Sequence, residues 1–212
     1  MKQRIKNGLQ DKIGLIVAFF VIIIVFTIIN PNYFSTQNLS NILTSASLTG
    51  LVAIAETLLI IAGLIDLSPG SVAAFSSVVA GYLATSGMPV WLVIPVTTLF
   101  GALNGWGYNR FKLEPFIITL ASMSIFRGLG YILCGGKPVF INNPDFTSIG
   151  STRIVWFMTI PVIVLLIAFV IFAILLNKTR FGRSIYVLGG NKYAARLAGL
   201  NPAMITTVLF MI

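Results

Sequence analysis

The sequence has 212 residues, of which 57% are hydrophobic and only 9% are charged. Soluble domains carry roughly a quarter charged residues, so this composition indicates a membrane protein. The 14 Lys and Arg against 5 Asp and Glu give a net charge of +9, and there is no histidine. Without His, and with Cys134 as the only cysteine, His-based acid–base catalysis, disulfides within the chain, His-ligated metals and Cys-cluster metal sites are excluded. We therefore predict no catalytic residue, metal or cofactor.

Apolar runs long enough to cross a bilayer recur along the chain. A bilayer core needs about 20 apolar residues in helical form. Runs this continuous favour helices, because barrel strands alternate with a period of two. We therefore predict an all-α polytopic membrane protein with a single transmembrane domain over residues 1–212. Its predicted spans are residues 13–29, 42–65, 71–86, 90–108, 116–134 and 154–176, with a seventh that starts near residue 202 and stops at 212.

Eleven of the fourteen cations lie in three blocks that a membrane topology explains. They precede the first span, follow the fourth or follow the sixth: Lys2, Arg4, Lys6 and Lys12; Arg110 and Lys112; Lys178, Arg180, Arg183, Lys192 and Arg196. If each run crosses once, all three blocks share one side, and the positive-inside rule predicts a cytoplasmic N-terminus. The basic excess is then a topology signal rather than a nucleic-acid surface. No small-x-small cleavage site follows the first run, which favours an uncleaved span over a signal peptide.

Residues 63–71, Gly-Leu-Ile-Asp-Leu-Ser-Pro-Gly-Ser, separate the second and third runs. Pro69 and Gly70 interrupt a helix. Asp66 and Ser68 stand where the next helix would be capped, beside the positive end of its dipole. Two interpretations stay open at this point. The segment is either a tight cytoplasmic turn or a helix broken within the membrane, whose freed backbone lines a pathway.

Glu56 and Arg127 are charges inside predicted spans. Each costs about 2.5–3.5 kcal/mol at mid-helix on insertion scales, so each should face the bundle interior, an aqueous cavity or the other charge. Arg127 can instead reach lipid phosphate at the far interface. Asn104 lies between Gly101 and Gly105, a spacing that favours close helix packing and a hydrogen bond across the contact. The pathway candidates are Glu56, Asp66, Ser68, Asn104 and Arg127.

Residues 178–201 form a long connection for two helices. Within it, Asn191 and Gly199 are start and stop signals that predict a short helix between them. The segment fits a contact for a cytoplasmic partner, and it equally fits an amphipathic stretch lying on anionic lipid.

Six sequence strings, in order along the chain, resemble the permease subunit of a bacterial ATP-binding-cassette sugar importer of the ribose/xylose type. The most specific is the 63–71 string. The others are residues 38–43, 104–105 with 115–120 and 127–128, 135–139, 179–191, and 194–199. The resemblance implies an inner-membrane subunit, and not an enzyme, that passes a ribose-like pentose or a hexose inward. Its partners would be a cytoplasmic ATP-binding subunit, an extracytoplasmic sugar-binding protein, a second permease copy or paralogue, and membrane lipid.

The resemblance also makes residues 178–201 a cytoplasmic coupling segment that docks on the ATPase. The residues it implicates are Gly190, Asn191, Ala194, Ala195, Arg196, Leu197 and Gly199. A separate ATPase accords with the lack of a P-loop sequence in this chain. Such permeases continue with further spans, so we expect a C-terminally truncated chain. The identity of the sugar and the choice between homodimer and heterodimer stay open.

The alternative function is a channel or ion-coupled secondary transporter that uses Glu56 and Arg127. Inverted-repeat transporters carry corresponding broken helices in two halves, and this sequence shows one break, at Pro69-Gly70. The discriminating observation is dependence on an ATPase.

Overall fold

Helices make up most of the computed structural model, which describes residues 2–142 and 144–212, with side chains from residue 13 onward except at 145 and 149. A single 3-10 turn, Val90–Leu92, precedes the fourth helix. The helices are α1 (Lys2–Ile29), α2 (Thr36–Ile61), α3 (Pro69–Thr85), α4 (Val93–Phe111), α5 (Pro115–Cys134), α6 (Pro144–Ser151), α7 (Ile160–Lys178), α8 (Arg180–Gly190), α9 (Lys192–Leu197) and α10 (Pro202–Met211).

Four stretches of the described chain are long and apolar enough to cross a membrane: Thr36–Ile61, Val90–Phe111, Pro115–Cys134 and Ile160–Lys178. Two shorter apolar helices, Ile13–Ile29 and Pro202–Met211, accompany them, and α3 has 17 residues. The predicted class of an all-α membrane protein is therefore confirmed. The count of six spans and the cytoplasmic N-terminus stay predictions.

The spans predicted at 42–65 and 154–176 differ clearly from the observed helices in their boundaries. The span predicted at 154–176 is wrong at its start, because Arg153–Val155 (β1) and Met158–Thr159 (β2) form a small antiparallel hairpin. Trp156 adopts a left-handed backbone with φ 48° at its turn, and Pro161 in the first turn of α7 has no N–H to extend that helix backward. The span predicted at 42–65 runs instead from Thr36 to Ile61, and Gly63 takes φ 75° just beyond its end.

The main buried core lies where the C-terminal end of α2 meets α8, α9 and α10. Its members are Leu58, Leu59, Ala62, Leu64, Ile185, Leu188, Ala195, Ile205, Leu209 and Phe210. By contrast, the described side chains of α1 are almost all exposed, as are about half of those on α7, where only Val162 is buried. Large apolar side chains exposed in this way suit a lipid-facing surface. The tight packing is thus concentrated at the end of the bundle that carries α8 and α9.

Helices α4 and α10 meet along the α4–α10 seam, formed by Gly101, Gly105 and Asn109 on α4 and by residues 203–211 on α10. A Cβ at Gly101 would overlap the Phe210 carbonyl, and one at Gly105 would lie 2.6 Å from the Thr207 Cα. The close helix contact predicted from the Gly-xxx-Gly spacing is confirmed. Asn109 adds polar contacts across the seam, since its side-chain nitrogen lies 3.0 Å from the Ala203 carbonyl oxygen.

Candidate functional site

The break between α2 and α3 packs against the sides of α4 and α5. The Leu67 N–H donates to Thr119 Oγ1 at 3.1 Å, and the Asn104 amide donates to Ser68 Oγ at 3.0 Å. Thr119 lies one turn into α5, about 6 Å from its start, and Asn104 lies about 10 Å before the end of α4. The break is therefore level with the second turn of α5 and with a point about two turns before the end of α4.

Asp66 and Ser68 stabilise the break through different hydrogen bonds. Asp66 Oδ1 accepts the Ser68 N–H at 2.7 Å and so stabilises the turn that leads into α3. Ser68 occupies the N-cap position of α3, but its side chain makes no capping hydrogen bond and instead meets Asn104. Pro69 occupies the first turn, where a missing N–H costs nothing. Ser68 therefore ties the break to α4 rather than capping its own helix.

A cavity of about 570 Å³ lies between α2, α3, α4 and the last turn of α10. Its volume is within the range of small-molecule sites, roughly 300–1,000 Å³. It brings together four of the five predicted pathway residues, and three hydroxyl side chains that we had not singled out join them. The polar side chains of the lining are Glu56, Asp66, Ser68, Ser76, Thr97, Thr98 and Asn104.

Arg127 is the pathway candidate that the fold does not bring into the cavity. It is exposed on α5, whose buried positions are Pro115, Thr119, Ser122, Phe126 and Gly130. The buried positions face α3, whereas Arg127 follows Phe126 directly and so projects from a different face of α5. The structure describes the side chains of both Glu56 and Arg127, and they form no ion pair with each other. The Glu56–Arg127 pair considered from the sequence is therefore not seen.

The coupling segment contains the short helix predicted from its start and stop signals. Asn191 Oδ1 accepts the N–H groups of Tyr193 and Ala194 at 2.8 and 3.0 Å, and Gly199 ends α9 with φ 78°. Sequence reasoning missed α8, which precedes it. The available signal was Thr179, whose hydroxyl accepts the Gly182 N–H at 3.0 Å and begins that helix.

The two faces of α9 differ sharply. The Ala195 side chain is fully buried in the core beside α2 and α10, so it anchors the helix and offers no outward surface. The other residues implicated in coupling are exposed: Gly190, Asn191, Ala194, Arg196, Leu197 and Gly199. Leu197, at 91% exposure, is an apolar side chain without cover in the described structure. The outward face of α9 is thus suited to contact another surface.

Two contacts join the coupling segment to the helices around the cavity. A Cβ at Gly189 would overlap the Ile61 carbonyl at the end of α2, just before the break. Lys192 donates to Tyr108 Oη on α4 at 3.2 Å, with its ammonium 4.8 Å from the centre of the Tyr108 ring. Sequence reasoning missed Gly189, Tyr108 and this role of Lys192, because no local pattern shows which distant backbone a glycine approaches.

The sequence is similar to a known protein family and to several individual proteins. The family model described as "Branched-chain amino acid transport system / permease component" matches residues 38–212. The ribose import permease protein of Haemophilus influenzae is 35% identical over 204 residues, covering 92% of this chain and 63% of that protein. The L-arabinose transport system permease protein of Escherichia coli is 33% identical, covering 95% of this chain and 62% of its own length.

A third relative is the ribose import permease protein of Bacillus subtilis, which is 34% identical over 212 residues, covering 96% of this chain and 65% of that protein. The chain therefore spans less than two thirds of the length of these relatives. No solved structure matches it significantly.

Proposed function

The chain belongs to the permease family whose model it matches, and we propose that it contributes the membrane-spanning part of an ATP-driven importer for a monosaccharide. The family membership confirms the resemblance inferred from the ordered sequence strings. Together with the four long apolar helices, it assigns the chain to the inner membrane as a transport protein. The sugar, the energy source and the partners are the proposal.

The cavity at the broken helix carries this proposal. It places Glu56, Asp66, Ser68 and Asn104 around a space large enough for a monosaccharide. A sugar needs several converging hydrogen-bond partners, and the polar side chains gathered at the break between α2 and α3 supply them. The relatives named for ribose and arabinose support a small neutral sugar as the cargo.

The coupling segment supplies the proposed input from ATP. A cytoplasmic ATPase would bind the exposed face of α9. Closure of the ATPase would move α8 and α9 together, since Ala195 fixes α9 in the core. That movement would reach the end of α2 through Gly189 and reach α4 through Lys192. Both helices border the cavity, so the two nucleotide states would favour different cavity conformations.

The complete transporter is proposed to contain a second permease copy or paralogue and an extracytoplasmic sugar-binding protein. The sugar-binding protein would deliver substrate to the end of the bundle opposite α8 and α9. In this scheme the permease chain performs no covalent step. The work comes from the difference in contacts between inward-facing and outward-facing states.

Sugar uptake with and without a working ATPase tests the proposal. The chain would be expressed with ATP-binding and sugar-binding subunits from its own organism, and uptake of labelled pentoses and hexoses would be measured. We expect uptake of one of these sugars, and its loss when the P-loop lysine of the ATPase is replaced by alanine. The chain should also copurify with the ATPase.

Uptake that persists with the inactive ATPase would contradict the proposal and favour the channel or secondary transporter. That alternative loses one of its two residues in this fold, because Arg127 lies outside the cavity. Glu56 alone stays available to it.

A further inference from the structure

Hydrogen-bond donors are scarce in the cavity at the broken helix. The hydroxyls of Thr97 and Thr98 both donate to the Ile94 carbonyl, at 2.9 and 2.8 Å. The Ser76 hydroxyl donates to the Val72 carbonyl within its own helix. The Asn104 amide donates to Ser68. Most side-chain donors that line the cavity are therefore engaged within the protein.

Acceptors, in contrast, are left over. Asp66 uses one carboxylate oxygen, Oδ1, for the Ser68 N–H. Glu56 lies near the Asp66 backbone N–H, but no described side chain donates to its carboxylate. The amide oxygen of Asn104 also has no side-chain donor within the described residues. An ionised carboxylate only accepts, so the unused capacity of the lining belongs mainly to Glu56 and Asp66.

The charges point the same way as the hydrogen bonds. Two of the five acidic residues of the sequence, Glu56 and Asp66, line the cavity. No Lys or Arg lines it among the residues that the structure describes, and the chain has no His. Arg127, the one cation within a predicted span, is exposed elsewhere on α5. A cleft that is lined by charges of one sign and has walls of low dielectric constant concentrates the electrostatic field of those charges.

We propose that this cavity selects ligands by charge: it admits neutral or cationic ligands rich in hydroxyl or amine donors and excludes anions, with Glu56 as the residue that sets this selection. The proposal deepens the importer function and rests on it for the transported cargo. A neutral or amino sugar meets the free acceptors with its donors. A sugar phosphate or a carboxylate-bearing sugar brings negative charge toward Glu56 and Asp66, where few donors or cations receive it.

Charged thiol reagents measure this selection directly. A Ser76→Cys reporter would be placed in the cavity of the full chain, with Cys134→Ser removing the native thiol. Labelling rates would be compared in unsealed membranes for a cationic and an anionic methanethiosulfonate of similar size. We expect the cation to react about tenfold faster or more, after correction for the two reagents' rates with a free thiol.

Matched variants at Glu56 assign the effect. Glu56→Gln keeps the shape and removes the charge, so the cation-to-anion ratio should fall several-fold. Glu56→Asp keeps the charge, so the ratio should stay high. A second reporter, Thr97→Cys on the facing helix, should respond in the same way. Equal rates for both reagents, faster labelling by the anion, no labelling by either, or a ratio unchanged in Glu56→Gln would each overturn the proposal.

Protection of the Ser76→Cys reporter tests the ligand class. Glucose and glucosamine, at equal and high concentration, should slow labelling by a small neutral maleimide more than glucose 6-phosphate does. Protection by the phosphate, or by none of the three, would overturn the assignment of ligand class. These labelling assays need neither an ATPase nor transport. A failure of the importer proposal in the uptake assays can therefore be distinguished from a failure of charge selection in the cavity.

Discussion

Helix α4 takes part in two adjoining regions with opposite packing. In the α4–α10 seam there is no space for a single added carbon at Gly101. Beside the seam the same helix borders a cavity of about 570 Å³ through Thr97, Thr98 and Asn104. Close-packed interiors transmit displacement, whereas a cavity can change its volume. The contrast suggests that α4 and α10 move as one body, and that the cavity changes through movement of α2 and α3 against them.

A substitution at Gly101 should produce the largest effect, because it breaks the seam. In Gly101→Ala the added Cβ meets the Phe210 backbone, which cannot rotate away as a side chain could. We expect a loss of about 3 kcal/mol or more in the free energy of unfolding. Gly128→Ala on α5 is the matched control, since a Cβ there meets nothing within 4 Å, and it should change stability by less than about 1 kcal/mol. Unfolding in detergent followed by circular dichroism measures both, and equal stability of the two variants would contradict the rigid seam.

A substitution at Gly189, near the end of α8, tests whether packing as close as that of the α4–α10 seam also joins the coupling segment to α2. Gly189→Ala forces a Cβ against the Ile61 carbonyl at the end of α2. Under the proposed function, Gly189→Ala should lower sugar uptake about tenfold or more at equal membrane abundance, because a misplacement of about 1 Å can cost that much. Gly128→Ala on α5, where an added Cβ meets nothing within 4 Å, is the matched control and should transport like the parent chain.

ATP hydrolysis in the same membranes separates a transmission role from a structural one. An uncoupled Gly189→Ala transporter should keep its ATPase association and hydrolysis while losing uptake. Parallel loss of abundance, association and uptake would mean that Gly189 serves the fold alone.

Replacement of Asn109 should weaken the seam without overpacking it. Its side-chain nitrogen lies 3.0 Å from both the Ala203 carbonyl oxygen and Thr206 Oγ1, so Asn109→Ala removes polar links between two helices. We expect a loss of about 1–2 kcal/mol, the upper range for hydrogen bonds between membrane helices. Asn177→Ala is the control, because exposed Asn177 donates only to Ala173 of its own helix. The comparison uses the same detergent unfolding, and a control as damaging as Asn109→Ala would remove the special role of the seam.

The sequence predicted contacts that depend on local spacing and missed those that depend on distant backbone. The Gly-xxx-Gly motif correctly indicated a helix contact, and Asn191 and Gly199 correctly bounded α9, since both signals act within a few residues. Four pathway residues were chosen as polar groups in apolar runs, and the cavity collects them because burial of polar groups demands partners.

Other features were beyond local patterns. Ala195 was selected with its exposed neighbours, because a six-residue helix shows too little periodicity to reveal which face is buried. The sequence analysis included most of the β1–β2 hairpin in the sixth span, because residues 154–158 are apolar and lead directly into the apolar helix α7. The orientation of Arg127 depends on which stripe of α5 packs against α3, and hydropathy alone does not determine that choice.

The contact between Lys192 and Tyr108 should give the smallest effect, because it lies at the exposed rim of the packed region. Lys192→Met removes a hydrogen bond of 3.2 Å and a cation placed 4.8 Å from the ring centre. Exposed cation–π contacts contribute about 0.5–1 kcal/mol, so the loss in unfolding free energy should lie in that range. Tyr108→Phe keeps the ring that packs near Phe210 and removes only the hydroxyl, so it should lose less. Detergent unfolding at low and high salt measures both variants. If Tyr108→Phe were as destabilised as Lys192→Met, the hydroxyl bond rather than the ring would hold α9 to α4, and the rim would depend on a directional contact that any shift of α9 could break.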